Sequence, residues 1–113
     1  MTRGTTPTLQ FVLPFEANII DVLDIAFAQQ LQPYSPAQIV LDKNLSDCTV
    51  DGDTVSLVLS QEDTLALSSA QDVEIQLRIL SNGSALASQI ITVPVGRILK
   101  DGVLEAEGGG VTP

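Results

Sequence analysis

The chain has 113 residues, 44% of them hydrophobic and 4% aromatic, which suits one domain with an aliphatic core. Fourteen acidic residues against five basic ones leave a net charge of −9, which repels phosphate backbones and anionic lipid headgroups, so neither nucleic acid nor a membrane is an expected partner. There is no histidine and one cysteine, Cys48, which excludes Ser-His-Asp and Cys-His catalysis and any intramolecular disulfide, and fits a reducing compartment.

Residues 1–7, threonine-rich with Gly4 and Pro7, read as an N-terminal arm without the apolar stretch of a signal peptide. Leu9, Phe11, Leu13 and Phe15 then alternate with Gln10, Val12 and Pro14, which predicts a first strand with one apolar face. Pro14 has no amide to donate, so this strand is an edge strand or ends there. Glu16 to Asn18 is a predicted turn. From Ile20 to Gln29 the spacing of Leu23, Ile25 and Phe27 predicts a strand, against the helical preference of the Ala and Gln residues beside them. A polar connection holding Pro33, Tyr34 and Pro36 leads to a short strand, Gln38 to Lys43, and Asn44 to Asp47 is a turn with Leu45 tucked in.

Cys48 to Ser60 reads as a hairpin turning at Asp51-Gly52, the dipeptide of a type I′ turn, with Val55, Leu57 and Leu59 on one face. Ser60 and Asp63 form a helix-start signal, so one helical turn through Leu65 or Leu67 crosses the end of the sandwich. Asp72 to Leu80 is the strongest strand: Val73, Ile75, Leu77 and Ile79 face inward and Glu74, Gln76 and Arg78 outward. Asn82-Gly83 marks a second hairpin, returning along Ala85 to Val95 with Ile91, Val93 and Val95 on one face and Pro94 implying an edge or a bulge. Gly96 to Leu99 is a candidate last strand, and the acidic, glycine-rich end reads as a flexible tail.

About seven short strands with one short helical turn predict an all-β fold, an antiparallel β-sandwich of immunoglobulin-like shape. The Cys…Trp…Cys signature of true immunoglobulin domains is absent, as there is no Trp. The expected organisation is an arm over residues 1–7, the sandwich over residues 8–100 and the tail over residues 101–113.

Candidate chemistry is sparse, and no catalytic, cofactor-binding or metal-ligating residue is assigned. Cys48 becomes a nucleophile only if Lys43 or Arg78 lowers its pKa; otherwise it is a small core residue opening a strand. Asp51 and Asp53 flank a hairpin glycine, and Glu62 and Asp63 lie in a first helical turn, so both acidic pairs have structural explanations. Asp47, Asp51 and Asp53 are the one candidate for calcium, because calcium takes oxygen ligands. Their Asp-Gly-Asp core is only a fragment of an EF-hand loop, and the alternation that follows argues for a hairpin instead.

Three runs carry a resemblance: Thr5-Thr6-Pro7-Thr8-Leu9-Gln10-Phe11-Val12-Leu13-Pro14-Phe15, Leu59-Ser60-Gln61-Glu62-Asp63-Thr64-Leu65 and Val95-Gly96-Arg97-Ile98-Leu99-Lys100-Asp101-Gly102. Together they resemble small structural proteins of tailed phages and prophages of Gram-positive bacteria, and more distantly the N-terminal β-sandwich of phage upper baseplate proteins. The resemblance spans residues 5–102 and carries over no catalytic residue. It implies a non-enzymatic virion building block, assembled in the bacterial cytoplasm and held in a tail or baseplate by contacts with other virion structural proteins and with copies of itself. The chain departs from those proteins in size, with no receptor-binding or coiled-coil portion. The alternative expectation is a carbohydrate-binding or adhesion sandwich, for which Tyr34 is the one plausible exposed ring.

Overall fold

The computed structural model describes residues 1–105, so the greater part of the predicted tail, residues 106–113, lies outside the described residues. The strands are β1 (Thr8–Val12), β2 (Val22–Gln29), β3 (Gln38–Asn44), β4 (Cys48–Asp51), β5 (Thr54–Val58), β6 (Val73–Ser81), β7 (Ser84–Ala87) and β8 (Ile91–Val93), with one short helix, α1 (Gln61–Leu65). They form two antiparallel sheets: a three-stranded one in the order β1-β5-β4, and a five-stranded one in the order β3-β2-β6-β7 with β8 also on β6. In immunoglobulin lettering β1, β5 and β4 stand where B, E and D stand, and β3, β2, β6 and β7–β8 where C′, C, F and G stand. The expected all-β sandwich of immunoglobulin-like shape is the observed fold.

The period-two alternation determines which side of each strand is buried. Leu23, Ile25 and Phe27 of β2 and Val73, Ile75, Leu77 and Ile79 of β6 close against Val55 and Leu57 of β5, with Leu59, Leu67 and Val95 completing the core. Each such side chain removed from water contributes ~1.5–3 kcal/mol, which favours β2 as a strand over the helix its Ala and Gln residues prefer. Only the extended chain places Leu23, Ile25 and Phe27 on one side.

Local polar groups set the ends. Ser60 accepts a hydrogen bond from the Asp63 amide and Asp63 accepts one from the Ser60 amide, a reciprocal capping box that starts α1 as expected. Asn44 and Asp47 make the same arrangement at the 3-10 turn Leu45–Asp47. At the second hairpin Asn82 and Gly83 both have positive φ, 50° and 81°, as a type I′ turn requires.

Four expectations need correction. The first hairpin pairs Asp51 with Thr54, so its turn residues are Gly52-Asp53 rather than Asp51-Gly52. Gly52 has φ of 60° and Asp53 does not have positive φ, the pattern of type II′ rather than type I′. The first strand does not reach Phe15; it is an edge strand and ends at Val12, close to Pro14 as the missing proline amide implied, although the Leu13 amide still donates to the Asp53 carbonyl at 2.8 Å. The return strand Ala85 to Val95 is two strands, because Ser88 exchanges its own bonds with Leu77: its amide donates to the Leu77 carbonyl and its hydroxyl accepts from the Leu77 amide. Counted as two, it raises the described strands to eight. Gly96 to Leu99 forms no strand; Gly96 makes only an isolated parallel bridge to Thr2.

That bridge also places residues 1–7. The Met1 ammonium donates to the Pro94 carbonyl, the Gly96 amide to Met1 and the Arg3 amide to Gly96. Arg3 then spreads its guanidinium over three acceptors: Nε to the Leu67 carbonyl at 2.7 Å, Nη2 to the Leu65 carbonyl at 2.9 Å and Nη1 to the Asp101 carboxylate at 2.6 Å. The segment read as an arm therefore lies against its own domain. Its strand-like pairing is with the chain after β8, and it does not cover the outer edge of β1.

Candidate functional site

Among the described residues, the acidic residues singled out for chemistry are not gathered into one cluster. Asp47 accepts from the Asn44 amide, Asp53 accepts from the Thr54 hydroxyl and Asp51 ends β4. Among the described residues no three His, Cys, Asp or Glu side chains are grouped to hold a metal ion, so the calcium candidate Asp47, Asp51 and Asp53 is not assembled into a site. Asp63 is committed to the Ser60 amide and to Lys43 Nζ at 3.0 Å. Burial opposes its ionisation, but those hydrogen bonds and the ammonium outweigh burial and hold its carboxyl below the usual carboxylate range.

Cys48 is half-buried at the start of β4, with Sγ 3.5 Å from the Asn44 carbonyl. Burial first, and the Asp47 charge second, push its thiol up, away from the thiolate a nucleophile needs. Neither Lys43 nor Arg78 activates it: Lys43 is engaged with Asp63, and Arg78 lies across from Asp24 on the other sheet. Tyr34 is fully exposed, at 104% of the reference area, and holds φ of 65° in the Pro33–Pro36 loop.

Two apolar surfaces remain open. The first is the outer face of the five-stranded sheet. Ladder register places Val22 across from Leu80, Ala28 across from Ile39 and Leu80 across from Ala85, with Ala26 and Ala87 beside them. Val22, Ile39 and Leu80 are exposed there, and Ile90 joins Ala26, Ala28 and Ile39 around one shallow hollow. Polar groups run through this face as a stripe: Arg78 sits directly opposite Asp24, and Asp42 lies diagonal to it. Hydrogen bonding with Asp42, then burial and the Asp42 charge, raise the Asp24 carboxyl above its ordinary value against the opposing pull of Arg78.

The second is a seam along one side of the sandwich, between β1 and the β7–β8 edge. An apolar groove of about 320 Å³ opens there, lined by Val12, Leu13, Phe15, Leu77, Ile79 and Leu86 among others. Leu86 pairs with Ile79 and Ile91 with Ile75, so both point toward the core side, yet they stay 48% and 44% exposed. In an immunoglobulin sandwich a strand A lies beside B at this side; among the described residues nothing pairs with the outer edge of β1.

Sequence reasoning missed the outer sheet face and the groove, although Pro14 and Pro94 had marked the two strands that flank the seam as edges. The signals were present: the outward positions of β2 are Val22, Asp24, Ala26 and Ala28, too small and apolar for a solvated face, and β1 holds no charge between Pro7 and Pro14. No protein-family model matches the chain, and no curated protein matches it.

Proposed function

We propose that the chain is a non-enzymatic structural module that works through protein–protein contacts, as a building block of a tailed-phage or prophage virion. The observation that carries this reading is the outer face of the five-stranded sheet, with Val22, Ile39, Leu80 and Ile90 exposed around a floor of alanines. Exposed apolar patches bordered by polar groups, as here on either side of the Asp24–Arg78 stripe, mark protein contact sites. The resemblance of Thr5–Phe15, Leu59–Leu65 and Val95–Gly102 to phage tail and baseplate proteins supplies the setting: assembly in the bacterial cytoplasm into a virion, against other virion proteins and copies of the chain.

The test is solution mass by light scattering, with and without the proteins encoded beside it. A multimer or a stable heteromeric complex that Leu80→Lys and Ile39→Lys weaken is the expected result. A strict monomer that joins no such complex overturns the reading.

The alternative, a carbohydrate-binding or adhesion sandwich, is favoured by one observation, the fully exposed Tyr34 ring. Glycan-array binding lost in Tyr34→Ala would replace assembly with this reading.

A further inference from the structure

We propose that two copies of this chain join through β1, antiparallel about a two-fold axis at Gln10, into one continuous six-stranded sheet in the order β4-β5-β1-β1-β5-β4. The inference rests on the assembly reading and names the partner and the edge.

The argument begins with the four sheet edges, since an open edge presents free amides and carbonyls to any passing strand and natural sheets block it. Edge β3 carries Asp42 and Lys43, and its ladder with β2 is irregular at Phe27/Ala28. Edge β4 ends in Asp51 between Asp47 and Asp53. The β7–β8 edge is broken at Ser88, whose hydroxyl and amide are spent on Leu77. Among the described residues, edge β1 alone has no charge, no bulge and no strand paired along its outer side.

The phase of the β1 ladder shows which groups are open. At one end the Leu59 amide donates to the Pro7 carbonyl at 3.0 Å, and at the other the Leu13 amide donates to Asp53. Residues 9 and 11 therefore turn their amides and carbonyls to β5, and Thr8, Gln10 and Val12 turn theirs outward. Those open positions are evenly spaced about Gln10. An antiparallel copy pairs Gln10 with Gln10 and Thr8 with Val12, and every outward amide between Pro7 and Pro14 finds a carbonyl. Self-complementarity of this kind is what a two-fold interface demands.

Charge points to the same edge. Two chains of net charge −9 repel, and repulsion is least along an edge and groove lined by no ionisable side chain. The two-fold lies perpendicular to the sheet, so both five-stranded sheets fall on the same side of the joined sheet.

The experiment uses the full chain. Unmodified protein is expected to show twice the 11.9 kDa chain mass by light scattering at micromolar concentration. Gln10→Pro removes the outward amide at the axis and keeps the ladder to β5, and Val12→Lys places a charge on the edge at a side chain already 72% exposed. Both are expected to be monomers with unchanged circular dichroism. In a Cys48→Ser background, Gln10→Cys is expected to form a disulfide-linked dimer under oxidised glutathione, since hydrogen-bonded antiparallel pairs hold their Cα atoms about 5.5 Å apart. Thr8→Cys is expected to link at least tenfold less, its two copies standing roughly 14 Å apart along the strands. A multimer indifferent to Gln10→Pro and Val12→Lys overturns the β1 inference and leaves the assembly reading standing. A chain that is monomeric alone but enters a complex with neighbouring proteins does the same. A chain that does neither overturns both.

Discussion

Gln29 and Ser68 exchange two hydrogen bonds: Gln29 Nε2 donates to the Ser68 carbonyl at 2.8 Å, and the Ser68 amide donates to Gln29 Oε1 at 2.9 Å. The same Nε2 also donates to the Gln71 carbonyl at 3.1 Å. Gln29 is fully buried at the end of β2, and its amide replaces the ladder partners that the loop between α1 and β6 lacks. Gln29→Leu keeps the volume and removes all three bonds, leaving the Ser68 and Gln71 backbone groups without them. The expected cost is ~1–3 kcal/mol, read as a lower denaturant midpoint with an unchanged slope. Hydrogen exchange should quicken first at Ser68–Gln71, while Leu23 to Phe27 stay protected.

Arg3 provides a second prediction. Its guanidinium holds the carbonyls of Leu65 and Leu67 at the C-terminal end of α1 and pairs with Asp101, so it joins the first residues, the helical turn and the segment after β8. A planar fork with several fixed donors makes this possible, and an ammonium cannot reproduce it. Arg3→Ala is expected to release residues 1–5 to proteolysis and rapid exchange with the sandwich still folded. Arg3→Lys should not rescue. Protection of residues 1–5 unchanged in Arg3→Ala would show that the Met1 and Gly96 backbone bonds suffice.

The strands were legible in the sequence because burial on one side imposes a period of two, and Val73, Ile75, Leu77 and Ile79 obey it without exception. The cap at Ser60 and Asp63 and the Asn82-Gly83 turn were legible because one or two residues determine each geometry. The split at Ser88 was not, since it depends on a hydroxyl meeting the Leu77 amide across the sheet. The placement of residues 1–7 was hidden for the same reason: Arg3 is one charged residue in a polar stretch until Leu65, Leu67 and Asp101 are brought around it. The open seam was the least legible, because Leu86 and Ile91 carry the alternation of buried residues, yet among the described residues no strand pairs with the outer side of β1 to help cover them.

Asp63 and Asp24 give stability a pH dependence with two opposite limbs. Asp63 is held below the ordinary aspartate value of 3.8, so its contribution is complete above that pH and is lost as pH falls through the lowered folded value. Asp24 is raised above 3.8, so its charge weakens the fold at neutral pH. As pH falls through the raised folded value, the folded state takes up a proton that the unfolded chain does not yet bind, and stability rises. The urea midpoint is therefore expected to climb on acidification toward pH 3.8 and to drop below it. Asp24→Asn should lift the neutral midpoint by under ~1 kcal/mol, as for relief of a like-charge cross-strand pair, and should flatten only the rising limb. Asp63→Asn should lower the neutral midpoint by about 1 kcal/mol through loss of the cap and the Lys43 pair, and should flatten only the falling limb. A rising limb that persists in Asp24→Asn would assign it to another carboxylate and remove Asp24 as the strained group of the outer sheet face.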